Sequence, residues 1–279
     1  MAERAAAEKF IDLHRVIAEK NPTLANWLPG LALNWMRKVV HEDQFNAFIE
    51  KNGHLRNLDF VHAVMAELDA KTRATGLENI PASGGCIIAS NHPLGGLDGV
   101  ALMQAVGERR QDIRFFVNDI LLHLRGFGDY FVGVNKHGTN PREGIKLMDS
   151  VFGSENCVLF FPAGLVSRRQ NGIVKDLDWQ KSFLAKAIQY QKPIVPTFIG
   201  GQNSDFFYNL ANWRKKLGVK ANIEMFFLVE EMYKKYGQTV EVTFGKPIQP
   251  GFFTKEKTVL EWAGWLKEEV YRLGDGQKG

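Results

Sequence analysis

Cysteine is scarce. Two residues in 279, Cys86 and Cys157, exclude a disulfide-stapled scaffold, and neither sits at zinc-ligand spacing. Both lie in apolar, strand-like runs, which predicts buried, reduced thiols. No stretch approaches ~18 uninterrupted apolar residues, so no spanning helix is expected. Residues 1–9 are charged and alanine-rich and hold no apolar signal core. There is no internal repeat and no low-complexity segment. Charge of one sign is also lacking: 35 Lys and Arg against 31 Asp and Glu leave a net +4, with a pI of about 8.9. That mild excess suits an anionic lipid surface or an acidic carrier protein. Without a long basic stripe or a known binding motif, nucleic acid is not expected as a partner.

What is present suffices for a substantial core, since 45% of residues are apolar. Phe10, Ile11, Leu13, Val16 and Ile17 recur at helical spacing up to Asn21-Pro22. Residues 24–40 carry Trp27, Leu28, Leu31, Trp35 and Val39 beside Arg37 and Lys38, with Pro29-Gly30 interrupting the run. Such a stripe suits either a membrane interface or packing on the main domain. Two more helices are expected at 43–51 and 57–70. The pattern changes near residue 73. Strands are expected at 85–90, 113–118, 130–134, 157–161, 194–198 and 239–244. Helices are expected at 97–107, 141–152, 179–190, 206–217, 222–236 and 255–273. This alternation predicts an α/β fold with a mainly parallel central sheet flanked by helices. Residues 1–73 form an N-terminal helical segment in this reading, and 74–279 the α/β domain.

In such sheets, sites form outside the carboxyl ends of strands. Ala89-Ser90-Asn91-His92-Pro93-Leu94-Gly95-Gly96-Leu97-Asp98-Gly99 stands at one such end. His92 and Asp98 are six positions apart; on one continuous helix, at about 100° per residue, they would point in separate directions. Pro93 keeps His92 extended, Gly95 and Gly96 permit a tight turn, and Asp98 falls in a first helical turn, where the dipole favours a carboxylate. The carboxylate can then hold one ring nitrogen of His92 and leave the other to take a proton. On local grounds a second reading stands equally: His92 ends a strand and Asp98 caps a helix, with no chemistry between them.

Three further stretches place polar residues after strands. Tyr130-Phe131-Val132-Gly133-Val134-Asn135-Lys136 brings Lys136 to where it would meet an anion or stand solvated. Phe160-Phe161-Pro162-Ala163-Gly164-Leu165-Val166-Ser167-Arg168-Arg169 turns at Pro-x-Gly. There Gly164 allows close backbone approach and N–H groups that could face an oxyanion, and Arg168 and Arg169 either grip a phosphate or carboxylate or are solvated. Lys192-Pro193-Ile194-Val195-Pro196 reads only as a strand edge or start. Farther on, Asn212-Trp213-Arg214-Lys215-Lys216 is a basic, aromatic patch, either a solvated helix face or an anionic-surface contact.

Asn91-His92-Pro93 followed by Asp98-Gly99 resembles the first motif, Asn-His-x-x-x-x-Asp, of the glycerolipid acyltransferase superfamily that includes lysophosphatidic acid acyltransferase. The extra residue here resembles a hemolysin-like branch with Asn-His-Pro and Asp-Gly. Residues 130–136 resemble the second motif, with Lys136 for the usual arginine, which keeps the charge but loses bidentate recognition. Phe161, Pro162, Gly164 and Ser167 match the third, Phe-Pro-Glu-Gly-Thr-Arg-Ser, while Ala163, Leu165 and Val166 depart from it. In that superfamily the glutamate and arginine help place a glycerol-phosphate acceptor, so their absence counts against one. The branch with Phe-Pro-Ala-Gly and Val-Ser-Arg includes O-acyltransferases acting on amino-acid-based lipids. Residues 192–198 fit the fourth motif, and the resemblance covers about residues 75–250, with the motifs in order.

The resemblance implies a glycerol-3-phosphate acyltransferase-like fold. It also implies acyl transfer from acyl carrier protein or coenzyme A thioester, as co-substrate and not bound cofactor, to a hydroxyl of a lysolipid. That lysolipid is lysophosphatidic acid or a mono-acylated amino-acid lipid. His92 and Asp98 would be catalytic, and Asn91, Lys136, Gly164, Ser167, Arg168 and Arg169 would bind substrate. No metal is called for. The expected location is cytoplasmic, peripheral on the inner face of the cell membrane. An acyl thioester hydrolase and a non-catalytic peripheral lipid-binding protein are the competing readings.

Overall fold

Cys86-Ile87-Ile88-Ala89-Ser90 is almost wholly apolar, which favours a strand covered on both faces. In the computed structural model, which describes residues 12–20, 22–133, 141–219 and 222–276, it forms β2 (Cys86–Ser90), buried along its length. β5 (Cys157–Phe160) and β8 (Ile194–Ile199) flank it, both parallel to it. With β1 (Lys71–Thr75), β3 (Ile113–Val117), β4 (Phe131–Gly133) and β9 (Thr239–Phe244) they make a seven-stranded sheet in the order β1-β9-β8-β2-β5-β3-β4. Every pairing in it but β8–β9 is parallel.

Strand periodicity divides the core. Ile88 faces one layer, with Phe60, Val61 and Met65 of α5 (Asn57–Glu67) and Leu97, Ala101 and Leu102 of α6 (Gly96–Gly107). Ile87 and Ala89 face the other. There they meet α7 (Pro141–Phe152), α8 (Ser182–Gln189) and α11 (Val259–Asp275) through Phe152, Phe183, Leu184 and Leu266. Cys86 and Cys157 are register partners across β2 and β5, buried and not disulfide-bonded.

The N-terminal helices divide in behaviour. α1 (Leu13–Lys20), α2 (Pro22–Trp27) and α3 (Gly30–Val39) are short, and Pro29-Gly30 separates the last two. No residue of α3 is buried, and Trp27 and Leu31 are 81% and 86% exposed. α4 (Glu42–Asn52) and α5 instead send Phe48, Phe60 and Met65 into the main core. β1 runs through residue 73. Its sequence, Lys-Thr-Arg-Ala-Thr, has no apolar run to announce it; its pairing with β9 orders it, with Thr72 bonded to Gln104 of α6. No helix among the described residues is long and apolar enough to cross a membrane.

Two elements differ from the expected pattern. A two-stranded antiparallel hairpin, β6 (Arg168–Gln170) and β7 (Ile173–Lys175), follows β5. The apolar stretch at 222–236 breaks into a 3₁₀ turn at Ile223–Phe227 and α10 (Leu228–Tyr233). The remaining helix, α9 (Asp205–Lys216), begins with Ser204 as a side-chain cap.

Candidate active site

The carboxyl end of β2 is pinned before the site begins. Asn91 donates from Nδ2 to the Ile199 carbonyl (2.9 Å) and accepts the Ile199 N–H at Oδ1 (2.7 Å), adding one more rung between β2 and β8. In the place of a ligand contact, its amide is a clamp. The chain then turns at Gly95, whose φ of +92° and ψ of −126° suit glycine alone, under the Leu228 side chain of α10. That turn brings Asp98, fully buried in the first turn of α6, back against His92.

One oxygen of Asp98 does three tasks. Oδ2 accepts from His92 Nδ1 (2.8 Å), Leu94 N (2.8 Å) and Gly95 N (3.0 Å). Burial pushes the Asp98 carboxyl above its ordinary value, opposed by the hydrogen bond and charge of His92 and by the two backbone donors. An ionised carboxylate only accepts, so it fixes the proton of a neutral ring on Nδ1 and leaves Nε2 with a lone pair. Nε2 has no partner among the described residues, and the side chain is 17% exposed. One face of the ring stacks on Phe161, with centroids 4.1 Å apart.

The His92 backbone is held from the opposite side by the hairpin. Ser167, just before β6, donates its N–H to the His92 carbonyl (2.7 Å). Asp176, just after β7, accepts the His92 N–H at Oδ1 (3.2 Å) and the Ser167 hydroxyl at the same atom (2.6 Å). Its other oxygen takes the indole N–H of Trp179 (2.9 Å), and its own N–H donates to the Tyr271 hydroxyl on α11 (2.7 Å). Burial beside Asp176 drives the Tyr271 phenol upward, so it stays neutral. Asp176, Trp179 and Tyr271 are absent from the sequence-based set. The available signal was Asn171-Gly172, the pair that favours a two-residue hairpin turn and here takes φ of +50° and +82°. That turn is what brings Ser167 and Asp176 together.

The expected ligand-gripping arginines have other partners. Arg168 is buried, with Nη2 on Glu224 Oε1 (3.0 Å) and its guanidinium over Phe207. Glu224, also buried, takes Arg214 as well, at 2.7 and 3.2 Å. Arg169 pairs with Asp205 at the surface and lies over Tyr208. Ala163 and Val166, where the superfamily motif is charged, are buried. Gly164 has φ +66°, and its own N–H closes the turn onto Phe161 (3.0 Å). Lys136 lies outside the described residues.

A cavity of about 500 Å³ opens beside this turn, lined by Ala163, Gly164, Asp176, Gln180 and Lys267 among others. His92 does not line it; Asp176 is the shared wall. Among the described residues, no cluster of three or more His, Cys, Asp or Glu side chains is placed to hold a metal ion.

A sequence model of a family described as Acyltransferase matches residues 15–275. A lyso-glycine lipid O-acyltransferase of Bacteroides thetaiotaomicron is 43% identical over 265 residues, covering 95% of this chain and 97% of that protein. One of Phocaeicola vulgatus is 42% identical, covering 95% of each. Among solved structures, a 1-acyl-sn-glycerophosphate (LPA) acyltransferase, PlsC, from Thermotoga maritima is similar at 17% identity and a TM-score of 0.44, covering 85% of this chain and 90% of that one.

Proposed function

Because the chain belongs to the acyltransferase family, we propose that it moves a fatty acyl group from a thioester to a hydroxyl of a lysolipid. The observation that carries this reading is the His92–Asp98 pair, with Nε2 unpartnered at the carboxyl end of a central parallel strand. As the acceptor oxygen attacks the thioester carbonyl, Nε2 takes its proton. A positioned base of this kind contributes about 10²–10⁴-fold. Asp98 stabilises the imidazolium, which returns the proton to the departing thiolate as the tetrahedral intermediate collapses to ester and thiol. Gly164 N–H is engaged in its turn, so the donors left there for the oxyanion are the Ala163, Leu165 and Val166 N–H groups, which have no partner among the described residues.

A thioester arrives already activated, and the surroundings of His92 supply no protein nucleophile. The Ser167 hydroxyl is committed to Asp176, and both cysteines are buried at the base of the sheet. The donor is acyl carrier protein or coenzyme A thioester in this reading. The acceptor is a mono-acylated amino-acid lipid. That choice is supported by the lyso-glycine lipid named for the two relatives, and by Ala163, Val166 and the Glu224-bound Arg168 where a glycerol-phosphate site would need free charge.

A lipid surface is the proposed partner. Trp27, Leu31 and Trp35 are exposed on α2 and α3, as are Trp213 and Leu217 around the end of α9, beside Lys215 and Lys216. Trp35 touches Phe227, and Phe227 touches Phe206 of α9, which joins the two regions into one aromatic surface.

The test is a panel of lysolipids with labelled acyl thioester. Product ester that appears only with lysolipid, favouring mono-acylated amino-acid lipids over lysophosphatidic acid, supports the reading. Free fatty acid released at a rate indifferent to lysolipid would instead make the protein a thioester hydrolase. Exclusive use of lysophosphatidic acid would reverse the acceptor assignment.

A further inference from the structure

The cavity beside the Phe161–Gly164 turn holds a cation that nothing in the acyl-transfer step employs. Lys267 of α11 is 9% exposed and lines the cavity. Its ammonium makes no hydrogen bond within the described residues. The nearest carboxylate, Asp178, stands 3.7 Å away with its side chain fully in solvent. An ammonium has three protons to place, and none is donated to an acceptor among the described residues, so they are open to a ligand in the cavity. An exposed partner beyond hydrogen-bond distance contributes little.

The helix that carries Lys267 is also anchored. Tyr271, one helical turn later on the same face of α11, accepts the N–H of Asp176 at 2.7 Å. Asp176 in turn holds the His92 N–H. The helix that carries the cation is therefore tied to the His92 turn through Tyr271 and Asp176. On the opposite wall Gln180 donates its N–H to Pro162 (3.0 Å), which seats its side-chain amide over Gly164. Gln170 lines the same space.

We propose that Lys267, aided by the amides of Gln170 and Gln180, binds the carboxylate of the acyl acceptor, so that the cavity is the head-group pocket. This rests on the acyl-transfer reading above. Charge selects the ligand class. The lone ammonium has one exposed partner, Asp178 at 3.7 Å, which a carboxylate ligand displaces. Asp176 and Asp178 on the same wall oppose any anion, and they oppose a phosphate monoester of about −1.5 to −2 more than a single carboxylate, with no free guanidinium to compensate, since Arg168 and Arg169 are engaged with Glu224 and Asp205. At about 500 Å³ the cavity is within the ordinary range for a small-molecule site.

The experiment uses the full chain, labelled acyl thioester, and three acceptors: an N-acylglycine with a hydroxyl on its acyl chain, the same molecule as its neutral carboxamide, and lysophosphatidic acid. The wild type should prefer the carboxylate. Lys267→Gln should raise KM for the carboxylate acceptor about tenfold, consistent with loss of a charged hydrogen bond, leave KM for the carboxamide unchanged and hold kcat. Lys267→Arg should restore part of the preference. Asp178→Asn, at an exposed position that does not threaten folding, should lower KM for the carboxylate by freeing the ammonium. Equal KM changes for acid and amide, no change for either, or a wild type that prefers lysophosphatidic acid would overturn the head-group assignment while acyl transfer stands. A wild type that acylates none of the three would overturn the acyl-transfer reading, and this proposal with it.

Discussion

At the end of β2, the turn from Asn91 to Asp98 leaves the His92 Nε2 without a partner among the described residues, while Asp98 Oδ2 holds the ring and Asp176 Oδ1 holds the backbone. At the end of the neighbouring β5, the turn from Phe161 to Arg169 leaves no polar side chain without a partner. Its serine holds His92, and its two arginines are paired with Glu224 and Asp205. Two turns at the same edge of one sheet, both rich in polar residues, thus differ: the first leaves a ring nitrogen unpartnered, and the second commits its polar side chains to partners in the protein. A polar side chain at a strand end is therefore no measure of function until its partners are known.

The largest effect should fall on the first turn. Asp98→Asn should lower kcat about 10²–10⁴-fold, because the amide no longer fixes the tautomer or stabilises the imidazolium. The pH dependence follows from the raised Asp98 carboxyl. Its folded value lies above the unfolded one, so the native state takes up the proton first, and the ionised form that holds His92 is lost at a higher pH than for an ordinary carboxyl. The acid limb of kcat reports protonation of the His92–Asp98 pair, and the ionised Asp98 is lost from it at a higher pH than an ordinary carboxyl would be. By the same linkage the buried charge disfavours the folded state at neutral pH and ceases to do so as pH falls through that folded value. Activity should thus fall with acid before stability does, which parallel rate and thermal-melting measurements would check.

The second turn should respond in the opposite currency. Glu224→Gln removes the carboxylate that two buried guanidiniums share and should destabilise the fold by about 3–5 kcal/mol, read by denaturant unfolding, while the folded fraction keeps its kcat. A variant of unchanged stability and lost turnover would put this turn back among the reacting groups. Asp176→Asn belongs between the two: misplacing the His92 backbone should cost up to about 10²-fold in kcat with KM for the thioester unaltered. The smallest effect is expected from Arg169→Ala, whose surface pair contributes at most about 1 kcal/mol. A large KM increase there would mean that Arg169 contacts substrate after all.

The parallel sheet and the His92–Asp98 contact were legible in the sequence because each depends on neighbours: the apolar run of β2, Pro93, and a glycine bend only a few residues long. The frame was not. Glu224 reaches Arg168 and Tyr271 reaches Asp176 across long stretches of chain, and no local spacing encodes such pairs. β1 was invisible because β9 orders it. The hairpin was different: Asn171-Gly172 announced it locally, and the short polar strands on either side masked the signal.

The most direct test is single-turnover acyl transfer by His92→Ala, with labelled thioester and lysolipid at saturation and the fold verified by circular dichroism and thermal melting. If His92 is the base, a folded variant should form ester at least about 10²–10⁴-fold more slowly than wild type. Ester formation at a near-wild-type rate by that folded variant would contradict it.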